Sequence, residues 1–314
     1  TTPDIKVQAV RNLGGQVVLH GDSFDVANKY AKQRAADEGL VFIPPYDDEL
    51  VIAGQGTIAN ELLRQWRDVE YVFVAVGGGG LISGVAAYLG EVAPHVKVIA
   101  VEYEESACLK AALDTGERVI LPHVGLFADG TAVAQIGELP FEMVRLRKSD
   151  NSGPIVEPNV VTVNTDEICA AIKDTYDENR SIVEPSGAMA LAGIKKYVAE
   201  HGLTDKNMVS IVCGANMNFD RLRYIAERTE LGERKEAIYA VTIPEQKGAF
   251  LQFCRALQGR NITEFNYRAS DNNQAQVFVG ISLKGGETER HEIHELLKQN
   301  YDVDDLSDDE VAKL

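Results

Sequence analysis

The chain has 314 residues, 45% hydrophobic and 25% charged, the composition of an ordinary globular protein with room for two or three domains and a sizeable core. Its 48 acidic residues outnumber 31 basic ones, for a formal charge of -17; that balance argues against a nucleic-acid partner, and no basic stripe offsets it. No window approaches the length of a membrane-spanning helix, and the opening TTPDIKVQAV is no signal peptide. Four cysteines, Cys108, Cys169, Cys213 and Cys254, lie far apart without a CxxC pair, as expected of reduced thiols in a cytosol or organelle matrix.

In chain order, QVVLH (16–20) reads as a strand, followed by a helix from Ser23 to Gly39. VFI (41–43) reads as a second strand, preceding a helix near 52–66. YVFVAV (71–76) leads through four glycines into a helix over 81–93, and VKVIAVE (96–102) is a further β-branched run. KSDNSGPIVEPN (148–159) is a polar loop with two prolines. VVTV (160–163) precedes the helix TDEICAAIKDTYDENR, for which Asn164 or Thr165 is the N-cap. NMVSIVC (207–213) ends in a tight turn, GAN. Short apolar strands alternating with amphipathic helices predict an α/β fold, a mostly parallel sheet covered by helices on both faces, with ligands at the carboxyl ends of the strands. The glycine-bearing turns 77–80 and 214–216 both fall there.

From Ala237 the order changes to strand AIYAVTIP (237–244), helix 248–259, strand ITEFNYR (262–268), strand VFVGISL (277–283), helix 288–300 and a last strand in YDVDDLS. That βαββαβ order is ferredoxin-like. The charged stretch ELGERKEA (230–237) reads as the linker, with domain limits at 1–230 and 237–314 around a linker over 231–236.

The stretch VFVAVGGGGLISG (72–84) carries the clearest chemistry. A strand that enters a helix through four glycines leaves N–H groups converging on one point, and the helix dipole adds positive charge there. Four glycines in a row at such a junction favour a seat for a phosphate or carboxylate over a flexible turn. Elsewhere, Glu184 in VEPSGA precedes a proline at a helix start, where an acidic residue suits the dipole. Asp129 in FADG reads as a turn residue, with an oxygen ligand for a cation as the alternative. His291 and His294 stand three apart on a helix without a third metal ligand and read as solvated; His123 is assigned no role.

GGGGLISG, CLKAALDTGERV, GLFADGTAV, VEPSGAMALAG and GANMNFDRLRYIAERTELGER together resemble biosynthetic threonine deaminase, a pyridoxal-phosphate enzyme of the tryptophan-synthase-β fold type. EAIYAVTIPEQKGAF and NITEFNYR resemble its C-terminal ACT-like regulatory domain. GGGG alone is shared across that fold type; GANMNFDRLR followed by ELGER and the ACT-like unit is more specific. The resemblance implies a cofactor phosphate on Gly77, Gly78, Gly79 and Gly80, with Leu81 beginning the helix. It implies that Glu184 faces the cofactor ring and that Cys213 takes the place of a hydroxyl on the pyridine nitrogen, the alternative being a small apolar residue ending a buried strand. It further implies threonine as substrate, isoleucine or valine as effector, contacts to the effector from Arg260 and Tyr267, and a homotetramer in the cytoplasm or in a plastid or mitochondrial matrix.

Two family motifs are missing from the sequence. The S-[FY]-K-x-R-G-like motif that supplies the Schiff-base lysine does not occur, nor does the GNH loop; Lys6, Lys29 and Lys32 precede the glycines in polar helical stretches. The expectation is an incomplete version of the enzyme, short at both ends and inactive alone. Two other readings are another lyase, racemase or synthase of the same fold type and a non-catalytic amino-acid sensor.

Overall fold

The run Tyr71–Ala75 is buried at all five positions and forms β1. Burial on both faces explains why these β-branched and aromatic residues do not alternate with polar ones. β1 pairs in parallel with β2 (Lys97–Tyr103) on one side and β4 (Met208–Ser210) on the other, and β3 (Val161–Val163) lies outside β2. The sheet order is β3-β2-β1-β4. The structure, a computed structural model, describes residues 4–217, 219–232, 235–269 and 274–307. It divides into two compact units, Thr1–Thr165 with Val183–Asn216, and Asp166–Ile182 with Met217–Leu314.

In the first unit, α4 (Gly80–Val92) and α5 (Cys108–Thr115) cover one face of the sheet. There Val72, Val74 and Val98 meet Ile82, Val85, Leu89, Leu109 and Ala112. On the other face lies α8 (Pro185–His201), whose Tyr197 ring meets Phe73 edge-on at 5.4 Å. The period of two along β1 thus divides its side chains between two helical layers. The remaining helices of this unit are α1 (Asp4–Asn12), α2 (Phe24–Glu38), α3 (Glu49–Gln65) and α6 (Glu138–Val144). Ser23 caps α2 by accepting from the Val26 amide at 3.3 Å, and Asp48 caps α3 by accepting from Leu50 and Val51.

The two strands expected at 16–20 and 41–43 do not form. Both stretches belong to no sheet, and Val18, Leu19, Val41 and Ile43 are exposed, Val41 at 90%. A β-branched run becomes a strand only where a neighbouring ladder takes its N–H and C=O groups, and among the described residues none does so here. The polar loop 148–159 is tied down rather than free. Arg147 and Pro154 form an antiparallel bridge, the Ser149 amide donates to Gly90 O at 3.1 Å, and Ile155 and Val156 enter the core.

The second unit contains α7 (Thr165–Asn179, from Asp166 onward) and α9 (Phe219–Gly232), linked by Arg228 Nε on Asp166 Oδ1 at 2.7 Å. Its sheet comprises β5 (Glu236–Pro244), β6 (Ile262–Ala269), β7 (Gln274–Ser282) and β8 (Asp302–Asp305) in the order β6-β7-β5-β8, every pair antiparallel. With α10 (Ala249–Ala256) and α11 (Gly286–Lys298) this is the expected ferredoxin-like module. Tyr239, Val241, Phe253, Val277, Val279, Ile293 and Leu297 fill its core. Of the expected linker, residues 230–232 end α9, residues 236 and 237 begin β5, and 233 and 234 lie outside the described residues. His294, expected in solvent, instead stacks on the Tyr239 ring with its Nδ1 buried, whereas His291 is exposed. Among the described residues no cluster of three metal-ligating side chains occurs, and no helix is long and apolar enough to cross a membrane.

Candidate functional site

β1 delivers the chain to the glycines at its carboxyl end. The Val76 amide still pairs with Val101 O at 2.8 Å, and the next four residues, Gly77–Gly80, are all buried. Gly79 has φ +90, a left-handed conformation that a side chain strongly disfavours. α4 begins at Gly80, one residue before the expected Leu81, and its first closing bond runs from the Ser83 amide to Gly79 O at 3.1 Å.

Each glycine is also required by a neighbour. A Cβ on Gly77 would stand 2.8 Å from Thr131 Cα, and one on Gly79 would stand 2.7 Å from Pro140 Cβ. One on Gly78 would enter the Tyr46 ring, and one on Gly80 would stand 2.9 Å from Tyr46 O. The loop's carbonyls have donors: Gly77 O takes the Cys108 thiol at 3.5 Å, and Gly78 O takes the Gly137 amide at 3.1 Å. Among the described residues, none accepts from the amides of Gly77, Gly78 or Gly79. The peptide is planar and trans, so a held carbonyl aims the next residue's N–H the opposite way. Several amides without an acceptor at the start of a 13-residue helix are the features of a candidate anion seat.

The second expected turn belongs to the same unit. Glu184 is the N-cap residue of α8, its carbonyl accepting the amides of Gly187 and Ala188. Its carboxylate reaches across to the turn after β4 and accepts the Asn216 amide at 2.7 Å, while the Glu184 amide donates to Gly214 O at 3.3 Å. Gly214 leaves room for that carboxylate, and Gly187 leaves room for the Cys213 carbonyl. Asn216 Nδ2 lies 3.5 Å from Asp129 Oδ2, which places Asp129 in a tight turn, Asp129–Thr131, beside Asn216. Burial, reinforced by the Glu184 carboxylate, pushes the Cys213 thiol pKa up and keeps it a neutral donor.

Three further residues shape the site, and two of them, Thr131 and Ser186, connect the two turns. Thr131 crowds Gly77 on one side, and on the other its hydroxyl lies 3.4 Å from the Ser186 hydroxyl, two residues after Glu184. Tyr46 lies over Gly78 and Gly80, its phenol pushed up to about 12 by burial and then by the charges of Asp25 and Asp47, so it stays a hydroxyl. Thr131 and Ser186 fall within the stretches GLFADGTAV and VEPSGAMALAG, but no local motif marks Tyr46, which only its approach to Gly78 and Gly80 reveals.

The two candidate effector residues lie apart. Arg260 precedes β6 and pairs with Glu289 at 3.4 Å, while Tyr267, seven residues on, donates its hydroxyl to Glu245 and meets the Phe250 ring. Arg260 stands just before β6 and Tyr267 within it, so the two reach the module's surface from different points along this edge of the sheet.

A glycine turn at the carboxyl end of a parallel strand, entering a helix, marks the first unit as an α/β protein with a candidate anion site. The family model for pyridoxal-phosphate dependent enzymes matches residues 1–214, and that for the C-terminal regulatory domain of threonine dehydratase matches residues 227–314. The biosynthetic L-threonine dehydratase of Escherichia coli strain K12 is 52% identical over 314 residues, covering 100% of this chain and 59% of that protein. The chloroplastic biosynthetic threonine dehydratase of Arabidopsis thaliana is 47% identical over 320 residues, covering 100% of this chain and 52% of its own length. Among solved structures, the processed form of threonine deaminase isoform 2 from Solanum lycopersicum superimposes with a TM-score of 0.65 at 46% identity, covering 73% of this chain and 64% of that one. The chain belongs to the pyridoxal-phosphate dependent enzyme family, in its biosynthetic threonine dehydratase branch. It spans between half and two thirds of the length of these relatives.

The close approach at Gly187 gives a direct test of how the second turn is held. Gly187→Ala should lower the melting temperature by several degrees, because its Cβ meets the backbone of Cys213 rather than a movable side chain. Differential scanning calorimetry with Gly153→Ala as control, where a Cβ meets nothing within 4 Å, measures the difference.

Proposed function

We propose that the protein carrying this chain is a pyridoxal-phosphate-dependent threonine ammonia-lyase, converting L-threonine to 2-oxobutanoate and ammonia for isoleucine synthesis and inhibited by isoleucine. The observation that carries this reading is the set of unaccepted amides at Gly77, Gly78 and Gly79, in a chain whose other unit is a ferredoxin-like module of the regulatory type. When bound, pyridoxal phosphate supplies the electron sink that lets the α-proton leave and the β-hydroxyl depart as water.

The chain's own residues would hold that group. The amides from Gly77 to Leu81 would take the phosphate, with charge supplied by the start of α4 instead of a basic side chain. Cys213, a neutral thiol, would donate weakly to the ring nitrogen and leave it unprotonated, which suits elimination better than transamination. Glu184, whose carboxylate is engaged by Asn216, would keep the 213–216 turn in place beside the ring. Residues 1–230 would form the catalytic part, 231–236 the linker and 237–314 the regulatory part.

In the second unit, Phe250 packs edge-on against Phe265 and meets Tyr267, on an edge strand whose residues are all exposed. This aromatic group, Tyr267 with it, would cover the effector's aliphatic side chain. Arg260, paired with Glu289, would supply the cation for the effector's carboxylate. A homotetramer, in the cytoplasm or in a plastid or mitochondrial matrix, completes the reading.

Two measurements test it. The full-length protein should release 2-oxobutanoate from L-threonine only with pyridoxal phosphate bound, followed by ketoacid assay; absence of release from the loaded protein contradicts the assignment. Tyr267→Leu in that protein should desensitise it to isoleucine about tenfold while leaving turnover without isoleucine nearly intact, within the usual range of allosteric coupling. Unchanged inhibition would place the effector elsewhere.

A further inference from the structure

Glu102, the penultimate residue of β2, is fully buried and has no part in the proposed chemistry. Its two carboxylate oxygens accept the amides of Leu109 and Lys110, each at 2.8 Å, which are first-turn amides of α5. The first residue of that helix, Cys108, is also fully buried, and its thiol donates to Gly77 O at 3.5 Å. Gly77 C=O and Gly78 N–H are the two ends of one trans peptide. Holding the carbonyl on Cys108 therefore turns the Gly78 amide the other way, away from α5. The residue before Glu102, Val101, takes the Val76 amide at 2.8 Å, so both backbone strands leading into the loop are registered at this point.

Burying a carboxylate is costly, and a helix start can be capped without one. On the reading of residues 77–81 as the phosphate seat, we infer that Glu102 is a positioning residue for that seat, acting through α5 and Cys108 to aim the Gly78 amide. A charged Glu102 serves both α5 amides; protonated, it keeps one good acceptor for two donors, and the brace on Cys108 slackens.

The titration places this change near neutrality. Burial pushes the Glu102 carboxyl up to about 7, against the downward pull of the Leu109 and Lys110 amides, the Cys108 thiol and the Lys110 charge; the thiol's one hydrogen has Gly77 O and Glu102 as alternative acceptors, so the two amides carry the brace. Cys108 and Lys110 are the titratable groups that bear on it, and the Cys108 thiol, itself raised by burial, stays neutral. A carboxyl whose folded pKa exceeds its unfolded value of 4.5 favours the folded state at low pH, and that contribution is lost as pH rises from about 4.5 to about 7. The seat changes in the opposite sense, tightening as Glu102 ionises. A merely structural Glu102 would move stability alone.

The test is the dissociation constant of pyridoxal phosphate from the full-length protein, by equilibrium dialysis between about pH 6 and 8.5, for wild type, Glu102→Gln, Cys108→Ala, Cys108→Ser and Gly78→Val. Taking the ratio to wild type cancels the titration of pyridoxal phosphate itself. Glu102→Gln should bind about fivefold more weakly at pH 8, with the ratio closing towards one at pH 6; Cys108→Ala should bind about threefold more weakly, and Cys108→Ser should bind like wild type. If Glu102→Gln does not fold, the two Cys108 variants decide. Wild-type affinity in Cys108→Ala, or a Glu102→Gln ratio near one at every pH, overturns the inference if Gly78→Val has lost the cofactor. If Gly78→Val also retains it, the seat itself is misassigned and the inference falls with it.

Discussion

The first unit is organised around peptide groups that are satisfied on one side only. Cys108, Gly137 and Ser83 occupy the carbonyls of Gly77, Gly78 and Gly79, while among the described residues nothing accepts from the amides of those three glycines. A buried unpaired N–H costs about 1–3 kcal/mol, and here several stand together in buried backbone. An anion relieves that cost at a helix start, where the dipole already favours it. The parallel sheet supplies the direction: β1 runs into the glycines, β4 into the Cys213–Asn216 turn, and the Asp129–Thr131 turn lies between them through Thr131 and Ser186.

The glycines do more than their sequence pattern implies. The pattern points to space for a phosphate, yet the Cβ directions are already filled by Thr131, Tyr46, Ile136 and Pro140. The protein closes on the loop from its side-chain directions, while among the described residues nothing accepts from the amides of Gly77, Gly78 and Gly79. Recognition by backbone would let a chain with formal charge -17 hold an anion without a basic cluster.

What could be read from sequence was what local chemistry determines. The run Tyr71–Ala75, the β2 run, the helix that follows Ser23 and every element from β5 to β8 follow from propensity and periodicity. The runs at 16–20 and 41–43 have the same propensity and form no strand, because a strand also needs a partner that no single segment encodes. Tyr46, Thr131, Glu102 and Cys108 were illegible for a related reason: their roles exist only across long sequence separations. Arg260 and Tyr267 were both legible as ligand-type side chains, but their partners Glu289 and Glu245 lie far from them in sequence and were not.

The amides themselves give the most direct test of the seat. Pyridoxal phosphate titrated into the isotopically labelled protein, with backbone N–H resonances followed by transverse-relaxation-optimised NMR, should shift Gly77, Gly78, Gly79, Gly80 and Leu81 together and saturably, while Gly214 and Asn216 respond to the ring. If those five amides stay unmoved while pyridoxal phosphate binds and perturbs resonances elsewhere, the glycine turn is only a packing element and the phosphate seat lies in another part of the protein.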